Sequence, residues 1–310
     1  MSARKAIDGR AFGMMAVLCM IWAFQQIAIK AAAPDIAPAL QIALRSAIAA
    51  VLVAILMLWR REPLSLADGT WRPGLLVGLL FAGEFLFLGE GLRHTNASHM
   101  AVFLYTAPFF AAMGLHWKLP EEKLAAGQWA GIALAFVGII VAFFGPEAQP
   151  ATPAASNVLL GDFLGLVAGA LWGATTVVIR CSRLSNTSVS KTLLYQLVGA
   201  FILLMGAAAA FGQLDFRPTP LAWGSVLFQA VVVSFISFLT WFWLLRTYLA
   251  SRLGVFSFMT PLFGIVFGVW LLDEPLDPAF LAGALLVVLG IVMVNGHAWM
   301  QQILAFAKKS

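Results

Sequence analysis

Charged residues are scarce in this sequence. Lys, Arg, Asp and Glu make up 11% of its 310 residues, whereas a soluble globular domain contains about 25%. Apolar residues make up 62%. This composition excludes a water-soluble globular protein and indicates a chain that lies mostly within a membrane.

Histidine and cysteine are also rare, with four and two residues. Neither Cys19 nor Cys181 belongs to a metal-binding spacing, and the sequence shows no paired metal-binding acids and no nucleophile beside a base. We therefore expect no metal, no cofactor and no enzyme activity. The net charge is +5, but the basic residues are spread between apolar spans, so we expect no nucleic-acid partner.

Apolar runs of about 20 residues, long enough to cross a lipid bilayer, recur along the whole chain. Breaks rich in Pro, Gly or charge separate them, as at Arg60–Pro63 and Asp273–Pro275. We expect the first run to be a retained helix rather than a cleaved signal peptide, because it exceeds the usual length and nine more follow. The predicted transmembrane helices lie near 11–30, 38–59, 73–92, 98–117, 125–144, 160–180, 190–211, 222–245, 252–271 and 279–298.

The 19 Lys and Arg residues predict the orientation. If the N-terminus is cytoplasmic, fifteen lie on the cytoplasmic side and Arg45 lies within a span. Only Lys30, Arg93 and Arg217 fall outside. The positive-inside bias therefore predicts that both termini are cytoplasmic.

The chain also repeats itself. Ile21–Lys30 returns as Leu171–Arg180, and Val137–Val141 returns as Leu289–Met293. Each copy holds five spans, an odd number, so the second copy is inverted in the membrane. Inverted repeats are typical of carriers that work by alternating access around a midplane site; the alternative is that duplication only built a stable bundle.

The repeat boundaries predict four segments. These are a first five-helix repeat at 11–145, an extracytoplasmic linker at 146–159, a second repeat at 160–298 and a cytoplasmic tail at 299–310.

Several of these motifs, in the same order in both halves, resemble the EamA family of the drug/metabolite transporter superfamily over about 11–296. They are the Trp-small motif near Trp22 and Trp172, the junctions Leu92-Arg93, Ala97-Ser98, Leu245-Arg246 and Ala250-Ser251, the mid-helix prolines, and the acidic loops before the fifth and tenth spans. The chain is most similar to the single-chain bacterial inner-membrane exporters. The resemblance implies an all-α membrane protein of ten transmembrane helices, built from two inverted five-helix repeats around a central cavity, in the bacterial cell inner membrane.

The same resemblance implies a function. We expect a transporter that exports amino acids, aromatic and others, and related small metabolites. An exporter of drugs or other metabolites on the same fold is the alternative, and a channel is a further one. The expected partners are such small molecules and the lipid bilayer; a homodimer is an open option, although a monomer suffices.

Two charged residues inside the spans are candidates for substrate binding. Arg45 could hold a carboxylate through its planar guanidinium, or it could extend to the membrane surface or pair with an intramembrane acid. Glu84 could hold an ammonium group or a coupled proton. Glu90 lies nearer the outer end, where it could pair with Arg93 or His94.

Polar residues at mid-depth form a second candidate group. Gln25 and Gln26 in span 1 match Thr175 and Thr176 in span 6. They could bind substrate, or they could only bond neighbouring helices together. Gln196 occupies the position in span 7 that matches Arg45.

Aromatic and neighbouring residues complete the predicted site. Trp22, Tyr105, Trp172, Tyr195, Phe256 and Met259 are expected to line a cavity that tolerates aromatic substrates. Pro108 and Pro261 kink their helices and could act as hinges or only shape the cavity. Small residues at Gly127, Gly131, Ala135, Ala279 and Gly283 indicate close helix packing, with a dimer contact as the alternative.

Overall fold

A computed structural model describes residues 9–63, 65, 68–119, 123–144, 153–247, 257, 259–276 and 278–307. Within these ranges the chain is helical apart from short connections and one isolated antiparallel bridge between Ile36 and Phe216. In an apolar solvent this is expected, because a helix satisfies its own backbone hydrogen bonds.

Among the described residues, six α-helices lie in the first half of the chain and six in the second. They are Gly9–Ala32 (α1), Pro38–Trp59 (α2), Trp71–Gly91 (α3), Ala97–Leu104 (α4), Ala107–Lys118 (α5), Ala126–Phe144 (α6), Pro153–Arg180 (α7), Val189–Ala210 (α8), Pro220–Leu227 (α9), Phe238–Thr247 (α10), Met259–Leu272 (α11) and Pro278–Ala307 (α12). A 3-10 turn, Arg183–Asn186, follows α7, and a π-helix, Phe228–Ser237, joins α9 to α10.

Seven of these helical segments are long and apolar enough to cross a membrane, with α4 and α5 counted together and α9 continued through the π-helix. They coincide with seven of the predicted spans. The other three predicted spans meet shorter apolar helices, at Ala126–Val141, Met259–Leu272 and Pro278–Gly290. The protein is a multi-pass helical membrane protein, and the count of ten spans stays a prediction.

Two helices extend beyond their predicted ends. Helix α7 begins at Pro153, inside the segment expected to be a linker, and α12 continues through Ala307 into the expected tail. Proline at the first helical position favours a helix start, and the last residues of α12 contain no Pro or Gly after Gly296. The spans were predicted from bilayer thickness, which does not limit how far a helix continues outside the membrane.

The fourth span is interrupted near its proline. Tyr105 and Thr106 form a turn between α4 and α5, and Pro108 lies in the first turn of α5. Because Pro108 has no backbone N–H, the carbonyl of Leu104, four positions earlier, loses its helical donor. The carbonyl of Phe103 accepts from the amide of Thr106 at 3.2 Å and from Thr106 Oγ1 at 2.6 Å. Pro261 likewise lies in the first turn of α11.

The small residues of α6 and α12 bring these two helices into backbone contact. A Cβ added at Gly138 would lie 2.6 Å from the carbonyl oxygen of Gly283, and one at Gly290 would lie 2.6 Å from the amide nitrogen of Ala135. The predicted helix packing at Gly131, Ala135 and Gly283 is therefore observed inside one chain.

The outward helix faces are apolar. On α2 and α3, Val51, Ile55, Leu75 and Leu79 are all more than half exposed. A soluble protein rarely exposes continuous apolar faces of this kind. They are the surfaces that contact lipid in a multi-pass membrane protein.

The α6–α12 contact yields a stability prediction. We expect Gly138→Ala to destabilise the protein by about 1–3 kcal/mol, because the new methyl group overpacks a backbone contact. The measurement is thermal unfolding of the purified protein in detergent.

Gly206→Ala is the matched control. Gly206 lies within α8, and an added Cβ would meet no atom within 4 Å. Because alanine is the better helix former by about 1 kcal/mol, this variant should unfold at the same or a higher temperature. Equal destabilisation by both substitutions would contradict the packing argument.

Candidate functional site

Arg45 is fully buried in α2. Its side chain has no solvent exposure, and none of its three guanidinium nitrogens has a hydrogen-bond partner among the described residues. Its Cζ atom lies 4.1 Å from the centre of the Phe85 ring, in a cation–π contact. Arg45 is therefore enclosed by protein, and its hydrogen-bond donors are unused among the described residues.

Glu84 lies next to Phe85 on α3 and is also buried. Its Oε2 atom has no hydrogen-bond partner in the described part of the chain. No hydrogen bond joins the Glu84 carboxylate to the Arg45 guanidinium in that part of the chain. Buried charges are ordinarily both paired and hydrogen-bonded, so Glu84 keeps a free acceptor, and Arg45, which lies over the ring of the adjacent residue Phe85, keeps free donors.

Aromatic side chains pack in the same core. Trp22, Phe85 and Tyr105 belong to one buried apolar cluster, and Trp172 and Met259 pack against it. The Tyr105 ring meets the Trp172 ring edge-on, with 5.2 Å between centroids. Phe85, whose ring lies against the Arg45 guanidinium, belongs to this cluster, so the aromatic cluster adjoins Arg45.

The four polar residues of the mid-depth group differ in their bonding. Gln25 and Gln26 are buried, and Gln26 Oε1 has no partner among the described residues. Thr175 and Thr176 donate their hydroxyl protons to carbonyls of their own helix, at 3.0 and 3.2 Å. The threonines can therefore only accept further hydrogen bonds, whereas Gln26 has a free acceptor.

Tyr195 lies elsewhere. Its hydroxyl group is 3.0 Å from Thr70 Oγ1, and its ring packs where Gly74 leaves space at the start of α3. Ten residues of α3 separate Gly74 from Glu84, which corresponds to about 15 Å along the helix. The structure thus does not bring Tyr195 to the charged residues. Gln196 is buried in α8, and Phe256 lies outside the described residues.

The π-helix adds residues that the sequence analysis did not identify as site candidates. Ser237 Oγ accepts a hydrogen bond from Trp22 Nε1 at 2.9 Å. Ser234 is fully buried, and its hydroxyl has no partner among the described residues. In the sequence, the available signal for these residues was a pair of serines, Ser234 and Ser237, three positions apart in an apolar run. π-Helices often occur at functional sites.

Two ends of the bundle can be distinguished by their connections. The Lys30 end holds the α1–α2, α3–α4, α8–α9 and α11–α12 connections, and the Lys191 end holds the α2–α3 and α7–α8 connections. A groove of about 610 Å³ at the Lys191 end is lined by Gly69, Trp71, Arg72, Pro73, Cys181, Ser182 and Arg183. None of the predicted site residues lines it. Over the described residues, no group of three His, Cys, Asp or Glu could hold a metal ion.

An ion pair fixes the α2–α3 connection at the Lys191 end. Lys191 Nζ donates to Asp68 Oδ2 at 2.5 Å and also to the carbonyl of Ser65. Thr70 donates to Asp68 Oδ1 through its amide and its hydroxyl, at 3.1 and 2.6 Å. The hydrogen bond from Lys191, followed by those from Thr70, lowers the pKa of Asp68 to about 2.

The lowered pKa of Asp68 predicts how the stability of the folded protein changes with pH. A carboxylate with a lowered pKa in the folded state contributes stability at pH values above its ordinary pKa. The contribution is lost as the pH falls through the folded pKa. We therefore expect Asp68→Asn to lower the unfolding temperature at pH 6, with a difference from the natural chain that shrinks between about pH 4 and pH 2. Thermal unfolding across this range is the measurement, and a difference that stays constant would contradict the assignment.

These features define a class. The chain is a multi-pass helical membrane protein whose core holds two opposite charges with unused hydrogen-bonding capacity, next to aromatic side chains. The sequence profile of the EamA-like transporter family matches residues 10–144 and, a second time, residues 159–296. The chain belongs to the EamA-like transporter family.

Several relatives from bacteria and archaea are named as transporters or as an efflux pump. The Bacillus subtilis protein named "Uncharacterized transporter YoaV" is 26% identical over 88% of this chain and 92% of its own length. An Archaeoglobus fulgidus "Uncharacterized transporter" is 23% identical over 91% and 96%. The Salmonella typhimurium "Probable amino-acid metabolite efflux pump" is 24% identical over 90% and 93%.

A solved protein structure shares the fold. It superposes with a TM-score of 0.64 at 19% identity, over 93% of this chain and 96% of the other. The likeness therefore extends over nearly the whole of both chains.

Proposed function

We propose that this protein is a secondary transporter that exports amino acids, aromatic and others, and related small metabolites by alternating access. The observation that carries the proposal is the buried pair of Arg45 and Glu84, in which each charge keeps unused hydrogen-bonding capacity. The name of the Salmonella typhimurium relative, "Probable amino-acid metabolite efflux pump", supports the same substrate class.

The pair suits the two ends of a free amino acid. The Arg45 guanidinium can bind the α-carboxylate through two parallel hydrogen bonds. The Glu84 carboxylate can accept from the α-ammonium group. Bound in this way, the zwitterion would neutralise both buried charges, which stabilises all four groups in a medium of low dielectric constant.

The neighbouring residues suit a range of substrate side chains. Tyr105 and Trp172 offer an apolar edge-on pair, and Met259 is a flexible neighbour of the same core. Methionine and aromatic surfaces adapt to apolar groups of different shapes. Gln26 Oε1 is a free acceptor in α1.

The architecture proposed for this mechanism is ten transmembrane helices in two inverted five-helix repeats around a central cavity. The pattern of helix contacts supports it, because exchanging the two halves maps contacting pairs onto contacting pairs. When the halves are exchanged, the contact of α1 with α11 becomes the contact of α7 with α4 and α5. In the same way, the contact of α3 with α8 becomes the contact of the π-helix with α2. The pairs α2–α8 and α6–α12 each map onto themselves.

The proposed location is a bacterial inner membrane, with both termini in the cytoplasm. The distribution of Lys and Arg supports this orientation, which makes the Lys30 end extracytoplasmic. Pro108 and Pro261 are proposed hinges; the interruption between α4 and α5 beside Pro108 provides a joint at which one half of the span could tilt.

Counterflow in proteoliposomes tests the function. Vesicles loaded with unlabelled amino acid should take up a labelled amino acid by saturable exchange, without an imposed pH gradient. Exchange with several aromatic and aliphatic amino acids would support a broad carrier and oppose obligatory proton coupling. If no amino acid exchanges, the exporter of drugs or other metabolites replaces this proposal, and an unsaturable ion current would indicate a channel.

Substitution of the charged pair tests the site. Arg45→Gln should weaken the apparent affinity for amino acid at least about tenfold, because loss of one buried charged partner costs about 2–5 kcal/mol. Glu84→Gln should act in the same direction. Arg93→Gln is the control, since it removes an arginine from the exposed Glu90–Arg93 pair. An equal loss of affinity for amino acid in all three variants would contradict the assignment of the site.

A further inference from the structure

Glu274 reaches from one half of the chain to the other. It lies in the α11–α12 connection and is 6% exposed. Its carboxylate accepts from the amides of Ala97 and Ser98, at 2.6 and 3.0 Å, and from Ser98 Oγ at 2.8 Å. These amides open α4, whose N-cap residue Asn96 makes no side-chain cap. Glu274 therefore supplies the negative charge that favours a helix N-terminus.

Lys30 joins a third helix to the same carboxylate. Its Nζ atom is 3.4 Å from Glu274 Oε1 and donates to the carbonyl of Thr95 at 2.5 Å. It also donates to Asn96 Oδ1 at 3.4 Å. One cluster thus ties the end of α1, the start of α4 and the α11–α12 connection together.

The backbone around Glu274 holds it in this position. Asp273 has a φ of 52°, a left-handed conformation that aspartate tolerates better than most residues. The Glu274 amide donates to the carbonyl of Gly268 at 3.2 Å. A Cβ at Gly268 would collide with the Glu274 carboxylate, so glycine leaves the space that the carboxylate occupies.

A second pair links the two halves nearby. His99 Nδ1 lies 2.9 Å from Asp162 Oδ2, and the His99 ring stacks on Phe280 with 3.7 Å between centroids. Thr95 also donates to Asp162. The Lys30 end is therefore closed by polar contacts between halves, in addition to apolar packing such as Gly264 against Ala101.

We propose that Lys30, Glu274 and the N-terminus of α4 form a latch that holds the Lys30 end closed and must break when that end opens. The inference rests on the alternating-access part of the proposed function. The three components come from helices that have to separate to open a path at this end. Once separated, the carboxylate, the ammonium and the amides are all hydrated, so water replaces each contact that the latch loses. Such contacts can break and re-form during transport, because hydration replaces each bond that is lost.

The accessibility of a cysteine at position 97 reports whether the latch is closed. Ala97 is fully buried, and Ala97→Cys keeps the backbone amides and the Ser98 hydroxyl that bind Glu274. Cys181→Ser removes the exposed native thiol. The readout is the rate of modification by a membrane-impermeant maleimide added to the Lys30 end. In this background, Glu274→Gln should raise the rate about tenfold, because it removes the charge that binds Lys30 and α4.

Lys30→Met separates a latch from a simple helix cap. It leaves the Glu274 bonds to the Ala97 and Ser98 amides available but removes the ion pair to α1. A latch predicts modification several-fold faster in Lys30→Met, and a combined Lys30→Met/Glu274→Gln variant no faster than Glu274→Gln alone. An unchanged rate in Lys30→Met would mean that Glu274 only caps α4, which would overturn the proposal.

Arg93→Gln is again the matched control. The Glu90–Arg93 pair lies at the same end, with 2.8 Å between Arg93 Nη1 and Glu90 Oε2, but within one connected segment. Loss of this pair should leave the rate of maleimide modification unchanged. An increase equal to that in Glu274→Gln would mean that loss of any ion pair loosens this end, which would contradict the latch. The assay needs no substrate, so absence of amino-acid exchange would defeat the proposed function while leaving the latch result intact.

Discussion

A polar group inside a lipid bilayer must find its partner within the protein, and this constraint underlies the whole structure. The helices satisfy it for the backbone, and the interruption beside Pro108 is tolerated because it lies in the packed interior. Arg45 and Glu84 satisfy it incompletely. Each is buried with unused hydrogen-bonding atoms. Arrangements of this kind are unfavourable by themselves, which is why we propose a role for these two residues in substrate binding rather than in stability.

The sequence predicted best those features that depend on local pattern. Apolar run length predicted the seven helical segments that are long enough to cross a membrane, because a bilayer has a fixed thickness. The spacing of Gly131, Ala135 and Gly283 predicted helix packing because a Cβ between touching backbones has no space. Arg45 and Glu84 were identified by the rarity of charge inside apolar spans, and the structure adds that both are buried and adjacent to Phe85.

Features that depend on contacts between distant segments could not be predicted. The bond between Glu274 and Ser98 joins residues 176 positions apart, and no local pattern encodes that pairing. The π-helix at Phe228–Ser237 has no propensity signal comparable with that of Pro or Gly, so Ser234 was missed. Tyr195 was grouped with the site because it is aromatic and within a span, but helix α8 carries it toward the Lys191 end, where it bonds Thr70.

The types of contact between the halves suggest which helices stay together during transport. Between α6 and α12 the contact is backbone against backbone, made possible by paired glycines; any separation would open voids that neither water nor lipid fills favourably. At the Lys30 end the contacts include charged hydrogen bonds, which water can replace. We therefore expect α6 and α12 to move as one body, and the separation to occur where α1, α4 and the α11–α12 connection meet. On this proposal, the glycines keep α6 and α12 together, and the contacts of Glu274 with Lys30 are those that break when the Lys30 end opens.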